Sequence, residues 1–370
     1  MIRAVKLAPC MLAVAFAAAG CGSQGSQAGG SHSPASSASP LATASSSTPA
    51  SPVALTGAFG VLVVGPSGVD NYTVSLVGID GKVVGSAQAT SPTAVTCADA
   101  GAAVLPPPIS TSNSRVYFMD AQGVIRFLTP QGETGRATTV PASGGRRSMF
   151  AVSPDDQRIA VIVSDFTSSG AAIKLYVEDL NGGTNHVDIY SQSGAFSLWP
   201  IGWHGPNNLV VAKVPACTQG GGPFSAAPLE LHVVDPATAV RRFTIGGPTC
   251  VLVGPPSPAG AVCELTTFAQ ANVVGWTATT VRSIAIKGPT PAYLSPDGTV
   301  VALTQLSTGT TVLDGVGRTL NLPACGWIDS THVFAGGDAQ QQPRVGNIIN
   351  GAVVHVAAQG ACAGRLPGGL

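Results

Sequence analysis

From Leu55 onward the apolar residues fall in short runs, not in a helical stripe. Val61 to Val64, Val116 to Phe118, Ile159 to Val163, Leu209 to Val214 and Val300 to Leu303 are rich in β-branched side chains and bounded by Gly, Pro, Asp or Asn. No stretch of about 11 residues shows a convincing 3.6-residue period, so the pattern predicts strands throughout and an all-β fold. With 46 Gly and 29 Pro in 370 residues, the backbone is punctuated too often for long helices.

The punctuation repeats. Ser153-Pro154-Asp155-Asp156 precedes the strand from Arg158, and Ser295-Pro296-Asp297-Gly298 precedes the strand from Val300. Ser257-Pro258-Ala259-Gly260 is a third copy, and Gly205-Pro206-Asn207-Asn208 a looser fourth. Weaker versions stand at Thr111 to Ser114 and Asp329 to His332. Proline presets φ and Asp or Asn before Gly closes a reversal, so each copy is a hairpin turn. Second hairpins follow most copies, at Asp80-Gly81, Asp179 to Gly183 and Asp235-Pro236. Anchors at 110, 153, 205, 257, 295 and about 329 are 43, 52, 52, 38 and about 34 residues apart. That step suits a four-stranded propeller blade. A unit around Val61 brings the expected number to seven, with six to eight compatible with the spacing. Two tandem β-sandwiches are the alternative architecture.

The Ser-Pro-Asp-Gly turn before a strand, and the strand Leu175 to Leu180 ending in Asn181-Gly182-Gly183, resemble the WD40-like repeats of TolB-type β-propellers. The likeness is strongest over 148–184 and 291–304. Phe150, Trp203, Tyr293 and Trp327 fit the aromatic that such repeats carry before the turn; the unit at 257 has none. The resemblance implies a protein-interaction platform in the cell envelope and carries over no catalytic residue.

The N-terminal segment reads as an address. Arg3 and Lys6 precede an apolar run from Leu7 to Ala19, too short to span a bilayer but long enough for a signal-peptide core. Ala18-Ala19-Gly20-Cys21 resembles a bacterial lipobox, in which Cys21 is lipidated and becomes the mature N-terminus. The expected organisation is a lipoprotein signal peptide at 1–20, a lipidated N-terminus and Ser/Ala/Pro/Gly linker at 21–54, and a propeller at 55–370. The linker holds no charge and too little apolar surface to fold. It would act as a tether of roughly 30 Å.

Charge narrows the partners. Lys+Arg and Asp+Glu number 18 each, so the formal charge is zero and only 10% of residues are charged, against about 25% in ordinary domains. There is no basic footprint for nucleic acid. Cleavage before Cys21 would leave a net charge of −2, so lipid rather than electrostatics would hold the protein at the extracytoplasmic face of the plasma membrane. A monomer partnered by an envelope protein or a wall polymer is expected.

Six cysteines remain beyond Cys10 and Cys21, an even number in a chain bound for an oxidising compartment. Cys250 with Cys263 flank one turn, and Cys325 with Cys362 would staple the last blade. That leaves Cys97 with Cys217, with Cys217 to Cys250 as a rival pairing. No Cys-x-x-Cys and no His at ligand spacing call for a metal, and no phosphate loop or Gly-x-Ser-x-Gly elbow calls for a cofactor or nucleophile. His232 reads as an outward strand residue, Asp155-Asp156 as a solvated turn, and Trp199, Trp203, Trp276 and Trp327 as packing between blades. Two functions stand: a non-catalytic binding platform, favoured, and a propeller hydrolase or sugar-active enzyme. The second requires two or more of Asp70, Asp120, Asp155, Asp297 and Asp329 to converge at the central channel.

Overall fold

The computed structural model describes residues 55–65, 71–92, 106–167, 170–216, 222–224 and 228–370, and the backbone of 95–97 and 101–103. The expected signal peptide, Cys21 and the tether lie outside the described residues, as do Asp70 and Cys217.

Seven four-stranded antiparallel sheets form a propeller ring, with one added two-stranded hairpin, Val95–Cys97 and Gly101–Ala103. Blades 2 to 7 are each built from four consecutive strands, the first innermost. Their inner strands are Ile109–Thr111, Arg146–Val152, Phe196–Trp203, Cys250–Leu252, Ala292–Leu294 and Gly326–Asp329. Blade 1 is composite. Its three outer strands, Phe59–Val64, Asn71–Gly78 and Val83–Thr90, come from the start of the described chain, and Ala361–Leu366 returns to supply the inner one. Phe59 pairs with Leu366 and Val63 with Ala361, so the ring closes by backbone hydrogen bonding.

The repeated turns are the ones the sequence marks. Ser153 Oγ donates to Asp155 Oδ1 at 2.5 Å and accepts the Arg158 N–H at 2.9 Å. Ser295 Oγ likewise donates to Asp297 Oδ1 at 2.6 Å and accepts Val300 N–H at 3.0 Å, with Gly298 supplying φ of +77°. Each serine thus satisfies the first orphan donor of its strand while locking the carboxylate that shapes the turn.

The core lies between blades. In the strand Arg158–Thr167, Ile159 and Val161 pack toward blade 2, against Tyr117, Met119 and Ile125. Ala160 and Ile162 pack toward blade 4, with Trp199, Trp203 and Val211. Both faces are covered, which is why this strand reads as an unbroken apolar run. Trp203 Nε1–H donates to Ala151 O of the preceding blade at 3.0 Å, and Trp327 Nε1–H to Tyr293 O at 2.8 Å. These are the interblade packing roles expected of the tryptophans. In blade 5, whose turn lacks a preceding aromatic, Trp276 comes from the second hairpin and donates to Pro258 O at 2.8 Å.

Two disulfides join Cys250 to Cys263 and Cys325 to Cys362. The first links adjacent strands of blade 5. The second does more than staple one blade: it ties the entrance of blade 7 to the strand that closes blade 1. The expected Cys97 to Cys217 pair falls outside the described side chains.

Candidate functional site

Alternate turns of an antiparallel blade lie at opposite ends, so the ring has two unlike faces. The turn face carries the first-to-second and third-to-fourth strand turns. The connecting face carries the second-to-third turns and the links between blades.

Among the described residues, the carboxylates proposed for catalysis do not converge. Asp155, Asp297 and Asp329 cap turns in blades 3, 6 and 7, and Asp120 sits in blade 2 on the opposite, connecting face. Asp120 Oδ1 accepts Gln122 N–H at 3.0 Å and Val124 N–H at 2.9 Å. Asp329 Oδ1 accepts Thr331 N–H at 2.7 Å. Burial pulls the Asp297 and Asp329 carboxyls upward, but hydrogen bonds from Ser295 and Thr299, and from Thr331 and His332, outweigh it and hold both below the usual range. Glu264 differs. Buried between blades 5 and 6, it accepts Thr290 N–H at 2.5 Å, and burial pushes its carboxyl up.

Two sequence readings need correction. Asp155 caps a solvated turn, but Asp156 is buried, with φ of +61°. It accepts Ser114 Oγ–H at 2.5 Å and Tyr117 O–H at 2.8 Å from blade 2, a cross-blade contact that no local pattern reveals. His232 is not an outward residue. Its side chain is 15% exposed, with Nε2 3.2 Å from Glu230, which also accepts Lys213 Nζ at 2.8 Å.

The chain's last residues pack on the turn face as well. Residues 367–370 run across it: Gly368 N–H donates to Ser112 O at 2.6 Å, Leu370 N–H to Trp203 O at 2.8 Å, and Leu370 O lies 2.8 Å from His204 Nδ1. The His204 ring stacks on Trp276 at 4.8 Å.

Grooves open at blade junctions. The one between blades 1 and 2, about 510 Å³, is internally paired: Arg126 lies 3.5 Å from Asp120, and Thr90 Oγ1 3.4 Å from Gln122 Oε1. The one between blades 6 and 7 lies on the connecting face, is about 340 Å³, and is lined by Thr308, Gln340, Gln341, Gln342, Arg344 and His355 among others. Thr308 Oγ1 pairs with Thr310 Oγ1 at 2.7 Å, but the glutamine side chains make no hydrogen bond among the described residues. Arg344 Nη1–H donates to Asn321 O at 2.7 Å and makes no ion pair among the described residues. Sequence reasoning passed over these residues. The three successive glutamines between two turn signals were the one available hint.

No protein-family model matches the chain, and no curated protein matches it. Solved structures similar to it include TolB from Acinetobacter baumannii, at 12% identity and TM-score 0.43 over 85% of this chain and 67% of that one. Dihydro-heme d1 dehydrogenase NirN in complex with DHE is similar at 16% identity and TM-score 0.47, covering 83% of this chain and 75% of that one. The Dos1 propeller gives 12% identity and TM-score 0.42, over 83% and 86%. These are low-identity likenesses of chain path, and no activity follows from them.

Proposed function

We propose that this chain is a non-catalytic, lipid-anchored propeller that docks an envelope protein on its connecting face. The observation that supports this reading is the commitment of the candidate carboxylates. Asp120, Asp155, Asp297 and Asp329 are each hydrogen-bonded into their own turns, in four different blades, instead of facing one another across a pocket. A glycosidase needs two carboxyl groups about 5 to 10 Å apart around one bond. In this reading Cys21 carries the lipid, the uncharged linker supplies reach, and the monomeric ring supplies a rigid surface.

The test is chemical crosslinking in intact cells, followed by purification of tagged protein from membranes, with Cys21→Ala alongside. One stoichiometric envelope protein recovered with the lipidated form alone is the expected result. Recovery of Cys21→Ala in the membrane fraction would overturn the anchor. A glycan in place of a protein partner would replace the docking reading with polymer binding.

A further inference from the structure

We infer that the groove between blades 6 and 7 takes an extended acidic segment of the partner protein, with Arg344 as its anchor. This rests on the platform reading above and names its site and ligand chemistry.

Charge comes first. Arg344 and His355 line the groove, and no carboxylate among the described residues does. Asp338 stands nearby in the same loop, but its Oδ1 accepts Gln340 N–H at 2.9 Å and Gln341 N–H at 2.8 Å, so it is engaged in the loop's own backbone. Arg344 spends Nη1 on Asn321 O and keeps the remaining edge of its planar fork, the geometry that grips a carboxylate through two bonds.

The amide side chains point to a peptide. Those of Gln340, Gln341 and Gln342 make no hydrogen bond among the described residues. Each offers one acceptor and two donors, the complement of an extended backbone with its own carbonyls and N–H groups.

The wall that presents them is fixed in advance. Gly337 and Gly360 exchange two backbone hydrogen bonds, at 2.9 and 2.8 Å, and Asp338 N–H donates to Gln341 O at 2.9 Å. A Cβ at Gly337 would lie 1.8 Å from Gln341 O, so the loop closes this tightly only with glycine there. A pre-ordered loop avoids the entropy cost of ordering on binding. On the opposite lip, Leu306 is 74% exposed in the turn that carries Thr308, placed to meet an apolar side chain next to the acid. The groove between blades 1 and 2 is larger, but its Asp120 already neutralises Arg126.

The test places the photocrosslinker p-benzoylphenylalanine at Ser307, beside the groove, in the full chain produced in cells. Matched positions are Gln88 in the blade 1–2 groove and Asn350 on the turn face. Mass spectrometry then reads the captured segment. The expected result is a crosslink from position 307 to a peptide carrying Asp or Glu, cut about tenfold by Arg344→Gln and several-fold by Leu306→Ser. Arg126→Gln should leave it unchanged, and Arg344→Lys should fall between. If Arg344→Gln lowers the melting temperature, Leu306→Ser and Arg344→Lys carry the test. A captured segment without acids, a captured glycan or lipid, or yields indifferent to both groove variants would overturn the groove. A crosslink from Gln88 but not from 307 would overturn the groove and leave docking on the connecting face standing, whereas one from Asn350 alone would overturn both. Silence at all three positions would overturn both.

Discussion

The two faces of the ring are made from the same repeated unit, yet the turns at 153, 295 and 329 on one and the glutamine-bearing loop at 336–343 on the other use polar groups differently. On the turn face, Ser153, Ser295, Asp155, Asp297 and Asp329 are all engaged within their own turns, and Asp156 is spent on the neighbouring blade. On the connecting face, turns and links vary in length, and in blade 7 the loop at 336–343 leaves glutamine amides unspent while Arg344 beside it keeps one edge of its fork. The difference teaches where selection for fold ends. A turn that satisfies itself contributes stability and offers nothing to a ligand. A rigid loop with open donors contributes recognition at little cost to folding.

The largest test of that division is Asp156→Asn. Asparagine tolerates the positive φ and keeps the shape, but it has one acceptor oxygen where Ser114 and Tyr117 both donate. A loss of about 2 kcal/mol in urea unfolding is expected from stranding a buried donor. The crosslink from position 307 should be unaffected at temperatures where the variant is folded. A stability change within about 0.5 kcal/mol, the range of ordinary surface substitutions, would break the comparison on the turn-face side.

Ser295→Ala comes next, at about 1 kcal/mol, for the donor lost from Asp297 and the acceptor lost to Val300. The same turn predicts an acid dependence. Because folding holds the Asp297 carboxyl below its ordinary range, its contribution is present above the unfolded value of about 3.9. That contribution is lost as pH falls through the lower folded value. Unfolding followed between about pH 6 and 2 should show Asp297→Asn with a shallower decline than the parent chain.

How much of this was legible follows from the range of each interaction. The turns at 153, 257 and 295 are written within a few residues, so the blade anchors could be read directly from Ser, Pro, Asp and Gly. Ring closure was not readable. Ala361-Cys362-Ala363-Gly364-Arg365-Leu366 has no β-branched residue, and its partner Phe59–Val64 lies some 300 residues away. Asp156 failed for the same reason: its partners belong to the previous blade. The groove left still less trace, because an unpaired glutamine or arginine has the same sequence signature as a paired one.

Phe268 sharpens the other side. It stands in the second-to-third turn of blade 5, on the connecting face, with φ of +52°, is 43% exposed, and belongs to none of the buried clusters. A bulky residue in the left-handed region costs about 1 kcal/mol that asparagine largely avoids. Phe268→Asn is therefore expected to raise stability by about 0.5 kcal/mol. If the same variant also weakens partner capture, the strained aromatic is a recognition residue retained at the expense of stability. A loss above about 1 kcal/mol would make Phe268 a packing residue and narrow the recognition surface to the blade 6–7 groove.

The smallest expected effect lies at the outer edge of the turn face. His186 Nδ1 is 2.7 Å from Glu178 and Nε2 3.1 Å from Asp188, while Lys174 Nζ holds the other oxygen of Asp188 at 2.7 Å. The Glu178 hydrogen bond, aided by Asp188 and opposed by slight burial, lifts the imidazole above its ordinary value. A raised histidine stabilises the fold fully below about pH 6.5 and loses that contribution as pH rises through the folded value. The group is largely solvent-facing, so the shift should shrink with added salt. An NMR titration of His186 should give a midpoint above the ordinary histidine range, falling toward it in Glu178→Gln. Neither change should alter crosslinking from position 307. If partner capture instead followed the His186 titration, the two faces would be energetically coupled and the separation of stability from recognition would fail.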